Sequence, residues 1–330
     1  MHKVLIVDSI QQAGLDTLSQ RSDIVIDCCP DQTSEKELLD RVVDVSAVLV
    51  GTTPITERII DAARALKVVS RRGVGYDSID LTALRRRKIP LTIVGSANAS
   101  TVAEHTLFFM LALAKQAIAY DRAVRTGNWR FRESLLAMDL LGKILLLVGF
   151  GRIGRAVSVR AAAFGMRVMV YDPLMTGAAF GEFPVEPVKD LLQGLAICDF
   201  LSVHVPLMPE TAGLIGAKAF AVMKPTAFVI STARGGVVDE DELVNALRMG
   251  LIRGAGLDVF KEEPLPPDHP LASLENVMLS PHTAALTLEC AQRMDAVAAQ
   301  NCLDAFDGKL DPALVVPNDY VPDVPMGPLT

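Results

Sequence analysis

The stretch Lys143-Ile-Leu-Leu-Leu-Val-Gly149-Phe150-Gly151-Arg152-Ile153-Gly154 decides how this chain folds. An unbroken apolar run before a glycine predicts a strand buried on both faces. The glycines that follow are spaced for a turn into a helix. Gly149 allows the tight turn, Gly151 lets the backbone approach a pyrophosphate, and Gly154 lets the helix pack on the strand. The first N–H groups of that helix, at the positive end of its dipole, offer a seat for an anion. A second apolar run, Arg167-Val-Met-Val-Tyr171, ends in Asp172, eighteen residues after Gly154. A carboxylate there is placed to accept hydrogen bonds from ribose hydroxyls. A lone glycine triplet is weak evidence, since such turns are common. The strand before it, the helix after it and the acid at the next strand end together make a dinucleotide fingerprint. Asp172 would repel a 2′-phosphate, and Pro173-Leu-Met-Thr176 brings no cation to offset it, so NAD is expected rather than NADP.

Outward from this unit the chain alternates short strands and amphipathic helices. In the first part, strands are expected at 3–7, 47–51, 67–70 and 91–94, with helices near 10–20, 34–42, 55–65 and 79–88. A long apolar helix is expected from Ser100 to about Tyr120, with Thr101 and Glu104 at the spacing of a capping box. After a polar stretch from Thr126 to Glu133, strands are expected at 143–149, 167–171, 199–204, 226–231, 253–258 and 277–280, and a last helix at 286–306. Alternation of this kind predicts an α/β chain of two doubly wound, parallel-sheet domains. The second is read as inserted into the first: residues 1–99 and 286–330 form a substrate domain, and 100–285 a nucleotide domain. Within the latter, 100–142 is a hinge helix and dimerisation segment, with the linking helices forming a hinge over a cleft. The proline-rich tail after Gly308 is expected to wrap or fray.

Bulk properties exclude several classes. The chain's 330 residues are too many for one ordinary core, and half of them are hydrophobic. The apolar run from Thr106 to Ala114 stops at Lys115, too short for a bilayer, and Val4–Val7 is no secretory signal. A cytoplasmic protein without a membrane partner is expected. The net charge of −7 argues against nucleic acid. The one basic run, Arg85-Arg-Arg-Lys88, reads as a solvated helix end. Cys28, Cys29, Cys198, Cys290 and Cys302 have no metal-ligand spacing, so no metal is expected and the thiols read as free.

Ligands of doubly wound sheets sit at the carboxyl ends of strands. Three expected strand ends there carry reactive types: Arg234 in Ser231-Thr-Ala-Arg-Gly-Gly, Asp258 with Glu262 and Glu263 just beyond it, and His282 in Ser280-Pro-His-Thr283. Hydride transfer to a 2-oxo acid needs these types. A cation holds the carboxylate and polarises the carbonyl. A donor of near-neutral pKa protonates the developing alkoxide. An acid beside a histidine favours its charged form and fixes its orientation. Of the five histidines, His2 is terminal, His105 lies in a helix and His269 in a proline-rich loop. His204 ends a strand and is the one serious rival to His282.

The chain resembles the D-isomer-specific 2-hydroxyacid dehydrogenases, and among them the phosphoglycerate dehydrogenase type. The resemblance rests on Arg71-Arg-Gly-Val-Gly-Tyr-Asp-Ser-Ile-Asp80, Ser100-Thr-Val-Ala-Glu-His-Thr106, the Gly149–Gly154 turn, Ala233-Arg-Gly-Gly-Val-Val-Asp239, Leu257-Asp-Val-Phe-Lys-Glu-Glu-Pro264 and Ser280-Pro-His-Thr283, in that order. It implies a Rossmann NAD-binding domain inserted into a flavodoxin-like substrate domain. The family's catalytic arginine, glutamate and histidine fall on Arg234, Glu263 and His282. Its acid stands directly before the proline, which selects Glu263 over Glu262. Its cofactor contacts fall on Thr106, Arg152, Ile153, Asp172, Thr232 and Asp258, with Asp258 on the nicotinamide carboxamide. Glu104 and His105 are expected to cap and pack.

The same resemblance implies that the backbone amides of Val74 and Gly75 hold the substrate carboxylate. Arg71 matches an arginine of the phosphoglycerate dehydrogenases and is a candidate for a distal phosphate. Arg130 and Arg132 lie in a segment that crosses to the partner subunit in this family and are further candidates. Arg72 replaces a residue that is small in many relatives, which leaves the substrate open. The expected substrate is a small anionic 2-oxo or 2-hydroxy acid, with 3-phosphoglycerate and 3-phosphooxypyruvate first and hydroxypyruvate or glyoxylate second. A formate dehydrogenase ranks low, because that branch usually has glutamine where Glu263 stands. No extra regulatory domain is expected after the last helix. The resemblance also implies a homodimer. A reading of a different class is a non-catalytic NAD-sensing module, which can retain the same three residues.

Overall fold

In a computed structural model, described for residues 1–30, 33–175, 180–181 and 183–317, the chain divides into two compact units. One comprises Met1–Asn98 with the chain from Leu286 onward, the other Ala99–Ala285. Thr176 and the tail beyond residue 317 lie outside the described residues.

The first unit holds five parallel strands, β1 (His2–Val7), β2 (Ile24–Cys28), β3 (Ala47–Val50), β4 (Val68–Arg71) and β5 (Leu91–Thr92), in the order β2-β1-β3-β4-β5. That is the order of the flavodoxin-like sheets. Helices α1 (Gln12–Ser19), α2 (Glu35–Arg41), α3 (Glu57–Ala62) and α4 (Leu81–Arg86) connect them. The C-terminal helix Leu288–Asp307 packs on α1 and β4. Leu5, Val48, Val69 and their neighbours are buried, as strands covered on both faces require. Strand β2 is absent from the sequence expectation. Its Ile-Val-Ile-Asp-Cys run is half exposed at the sheet edge, so the apolar signal of a central strand is missing. Part of the tail does pair: Ile93 N–H donates to Leu314 O and Val316 N–H to Leu91 O.

The second unit opens with α5 (Ala99–Ala114). Gln116 then adopts a left-handed conformation, and α6 (Ala117–Arg125) leaves at 57°. The single helix expected to Tyr120 is therefore two. The capping box is corrected as well: the helix starts at Ala99, Thr101 is buried inside it, and Glu104 accepts from Ser100 Oγ at 3.2 Å. Burial of Thr101 against the core overrides a local capping preference. Among the described residues no single helix is long and apolar enough to cross a membrane.

Seven parallel strands follow: β6 (Ile144–Val148), β7 (Arg167–Tyr171), β8 (Val185–Pro187), β9 (Phe200–Val203), β10 (Phe228–Ser231), β11 (Gly254–Leu257) and β12 (Val277–Leu279). Their order is β12-β11-β10-β9-β6-β7-β8. The edge strand β8, only three residues long, is a further element that the sequence pattern does not predict. Along β6, Leu145 and Leu147 face one core while Leu146 and Val148 face the other. Helices α7 (Arg152–Ala163), α8 (Leu191–Ile197), α9 (Ala217–Val222) and α10 (Glu240–Arg248) cover the sheet. The strand order reverses between β6 and β9, the switch point where such sheets bind ligands.

Candidate active site

The glycine turn sits at that switch point. Gly149 has φ +95°, and a Cβ there would lie 2.9 Å from the carbonyl of His204 at the end of β9. A Cβ on Gly154 would collide with Gly149 O, so the helix approaches the turn as closely as a glycine permits. Gly151 is the N-cap of α7 and makes no side-chain capping hydrogen bond, and Arg152 and Ile153 follow it in the first turn. The Asp172 carboxylate is fixed by two backbone donors, Phe150 N–H at 2.8 Å and Leu174 N–H at 3.0 Å. It stands beside the turn with the remaining lone pairs of its oxygens available. These residues fit a dinucleotide. Thr106 Oγ1 and Thr232 Oγ1 lie 3.1 Å apart, both buried, which joins α5 to the end of β10.

At the ends of β10, β11 and β12 the fold brings the expected reactive groups onto adjacent loops. Glu263 Oε2 lies 2.7 Å from His282 Nδ1, and Glu263 Oε1 accepts from Phe260 N–H at 3.0 Å. The carboxylate is thus held on one side by its own loop and offers the other to the histidine. It is Glu263, not Glu262, that meets the ring. Arg234 follows β10, and its Nη1 donates to Ala233 O at 2.7 Å.

Asp258 is fully buried and organises the histidine's turn. Its Oδ1 accepts from Ser280 Oγ and, at 2.7 Å, from Thr283 N–H; its Oδ2 accepts from Ala284 N–H at 2.9 Å. His282 N–H donates to Asp258 O at 2.8 Å, and His282 itself has φ +54°. A left-handed non-glycine residue is uncommon, and here the hydrogen bonds around the turn hold it. Sequence reading passes over Ser280 and places His105 only as packing. His105 does pack against Phe109, but its Nε2 also lies 3.0 Å from Ser280 Oγ. Burial lowers the His105 pKa, with the Asp258 charge acting the other way. The signal is available in part: His105 falls four residues before the buried Phe109, on the helix face turned to the core.

His204, the rival donor, is partly buried, with its Nδ1 shut off from solvent. Its Nε2 lies 2.9 Å from Ser202 Oγ, and burial depresses its pKa to about 3. It is neutral at physiological pH, packed behind Gly149.

The first unit carries the 71–75 loop at the end of β4. Arg71 is wrapped around it: Nε donates to Gly75 O at 2.9 Å and Nη1 to Arg72 O at 2.7 Å. Arg72 Nη1 donates to Ser9 O at 2.6 Å, and its Nε lies 3.4 Å from the carboxylate of buried Asp295. Arg130 is 89% exposed in a 3₁₀ turn at Trp129–Ser134, with Glu133 at 3.8 Å. Among the described residues no cluster of His, Cys, Asp or Glu fits a metal ion, and the five cysteines are free thiols.

Residues 107–284 match the family model described as the NAD binding domain of D-isomer specific 2-hydroxyacid dehydrogenases. The chain belongs to that family. It is 39% identical to a glyoxylate reductase of Thermofilum pendens over 95% of this chain and 94% of the relative. It is 35% identical to a D-3-phosphoglycerate dehydrogenase of Methanocaldococcus jannaschii, whose length it spans to 62%. Among solved structures, the TT0316 protein of Thermus thermophilus superposes with a TM-score of 0.87, at 36% identity over 95% of this chain and 99% of that one. This 2-hydroxyacid dehydrogenase is therefore an NAD-dependent oxidoreductase of the two-sheet α/β fold, and its substrates are small 2-hydroxy and 2-oxo acids.

Proposed function

We propose that this dehydrogenase reduces a small 2-oxo acid with an uncharged tail, glyoxylate or hydroxypyruvate, to the 2-hydroxy acid, with Arg234, Glu263 and His282 carrying the chemistry. The observation that carries the site is the Glu263–His282 contact of 2.7 Å on loops adjacent to Arg234. The Gly149–Gly154 turn and Asp172 would hold NADH, which would supply the hydride for C2 of the acid. Arg234 holds the carboxylate and polarises the carbonyl, where its charge counts most as the oxygen becomes an alkoxide. His282, with Nδ1 held by Glu263, gives that oxygen a proton from Nε2. Thr106, Thr232 and Asp258 shape the wall of the nicotinamide site. In the first unit, the amides of Val74 and Gly75 take the acid's carboxylate.

The choice of tail rests on the arginines. Arg71 and Arg72 both donate to the protein's own carbonyls. A phosphate at this loop would compete for Arg71 with hydrogen bonds that each contribute about 1 kcal/mol. The full-length likeness to a protein named glyoxylate reductase points the same way. The second reading, 3-phosphoglycerate with 3-phosphooxypyruvate, is supported by relatives named phosphoglycerate dehydrogenase and by the place of Arg71 beside the loop. The decisive experiment is NADH oxidation against glyoxylate, hydroxypyruvate and 3-phosphooxypyruvate. The small acids are expected to give kcat/KM about tenfold or more above the phosphorylated one. The reverse preference, lost in Arg71→Ala, would move the assignment to the phosphorylated acid. Tight NADH binding without turnover of any of them would favour an NAD-sensing module.

A homodimer is part of the proposal. Phe108, Ile118, Val124, Trp129, Leu135 and Leu141 are exposed on the 100–142 segment, an apolar face that a second copy would cover. The free thiols suit a reducing, cytoplasmic setting.

A further inference from the structure

Glu240 is the first residue of α10, six residues after Arg234. A glutamate in the first turn of a helix ordinarily reaches into water, where it meets the dipole at little cost. Here its side chain is 11% exposed. Oε1 accepts a hydrogen bond from the backbone N–H of Lys261, and Oε2 lies 3.6 Å from His269 Nε2. His269 Nδ1 accepts from Leu271 N–H at 3.3 Å, so in the neutral ring the proton sits on Nε2, facing Glu240. Burial pushes the Glu240 carboxyl upward, against the pull of the Lys261 N–H and of His269. An acid withdrawn from water in this way is costly unless its partners hold it.

Lys261 stands two residues before Glu263, on the loop whose Phe260 N–H fixes the Glu263 carboxylate. That loop also touches the arginine's loop backbone to backbone: a Cβ on Gly235 would collide with Phe260 O. The two loops therefore meet at two points, one a contact only glycine allows, the other the Glu240–Lys261 hydrogen bond.

We propose that Glu240 is a positioning residue for the dehydrogenase reaction: its carboxylate, oriented by His269, ties the loop of Glu263 to the helix that follows Arg234 and so sets the acid–histidine pair relative to the arginine. The inference rests on the reading that Arg234, Glu263 and His282 do the chemistry. Gly235 lets the loops pack in direct contact; Glu240 fixes how far one slides along the other. Reaction rates fall steeply with such displacements, about 100-fold for 1 Å.

The test compares Glu240→Asp, Glu240→Gln and Glu263→Gln with the parent, using NADH and whichever of the three acids above the parent reduces fastest. Aspartate keeps the charge at the helix start, where it is favoured, and retracts the carboxylate by one methylene. Glutamine keeps an oxygen to accept the Lys261 N–H, while its NH2 faces the His269 N–H across 3.6 Å, so this variant keeps the tie to the loop and gives up only the orientation by the ring. Glu240→Asp is expected to lower kcat about tenfold or more, with KM for NADH within about twofold of the parent. Glu240→Gln is expected to stay within about threefold in kcat. Glu240→Asp at parental kcat, with Glu263→Gln impaired, overturns the role of Glu240 and leaves the catalytic reading standing. Loss of NADH affinity in step with kcat overturns it too, since a general structural defect moves both. Parental activity in Glu263→Gln removes the catalytic reading, as does a parent inert toward all three acids.

Discussion

Both sheets place an acid at a strand end and use it to hold the neighbouring loop, but what the held loop carries differs. In the five-stranded sheet, Asp8 after β1 accepts from Gly51 N–H and from the Thr53 N–H and hydroxyl. The loop it holds carries no titrating group. In the seven-stranded sheet, Asp258 after β11 accepts from Ser280, Thr283 and Ala284, and the loop it holds carries His282. The arginines repeat the contrast. Arg71 and Arg72 brace the 71–75 loop and Ser9; Arg234 likewise donates to a carbonyl of its own loop, but that loop packs against the one carrying Glu263. One architecture thus yields a loop of backbone amides in the first unit and, on the reading proposed above, a set of reactive side chains in the second. The acid in each case supplies shape; the chemistry depends on what the shaped loop presents.

The largest effect that could break this comparison is His282→Ala. If proton donation belongs to the second unit alone, kcat should fall about 10²–10⁴-fold. NADH binding, followed by fluorescence quenching or calorimetry, should be nearly unchanged, because the nucleotide turn lies on other strands. Near-parental turnover would show that the strand ends of β10–β12 are structural and that the proton comes from elsewhere.

A smaller effect sharpens the other side. Asp295 has no exposed side-chain surface, and its Oδ2 accepts from Gln11 N–H at 2.6 Å, while Arg72 supplies the neighbouring charge at 3.4 Å. Arg72→Ala leaves a buried carboxylate without its cation, at a cost of about 3 kcal/mol in urea unfolding. The exposed Arg130→Ala should leave unfolding unchanged. If Arg72→Ala were equally neutral, the arginines of the first unit would be available for an anionic tail after all, and the phosphorylated acid would return as first choice.

Much of this was legible in the sequence because the signals were local. Val148-Gly149 with Asp172 after the next strand describes a strand, a turn and a second strand end within about thirty residues, the span of one βαβ unit. Arg234, His282 and a group of acids at Asp258, Glu262 and Glu263 could be found by looking just beyond apolar runs, and the family resemblance selects Glu263 among the acids. What escaped depends on tertiary partners. Thr101 has the spacing of a helix cap and is instead buried, because the helix begins two residues earlier against a core. The break at Gln116 lies in an apolar, helix-favouring context with no proline or glycine to announce it. Strand β2 is polar enough at Asp27 to hide its pairing with β1. The roles of Ser280 and Glu240 cannot be read from their neighbours in sequence, since their partners are 22 and 21 residues away. Arg71 suits phosphate by its residue type; that its Nε and Nη1 also donate to carbonyls of its own loop is a contact composition does not reveal.

The smallest effect concerns His204, at the end of β9 in the seven-stranded sheet, outside the proposed chemistry. Its folded pKa, about 3, lies below the ordinary value of 6.5 because burial disfavours the charged ring. Between those values the unfolded chain binds a proton that the folded chain does not, so stability falls as pH drops from 6.5 toward 3. Going from about pH 7 to about pH 5.5, this one group should cost about 1 kcal/mol. The expected result is a parent whose stability in urea falls over that interval more than that of His204→Gln, by that amount, with the variant somewhat less stable at neutral pH. His105, also depressed by burial, titrates in both proteins and cancels in the difference. An identical pH dependence in the two would mean that acid stability is set elsewhere, with Ser202 or bound water accommodating a charged ring behind the nucleotide turn. That outcome would also make His204 a titrating neighbour of Gly149, and the comparison between the two sheets would then need a second titrating group at the strand ends of the seven-stranded one.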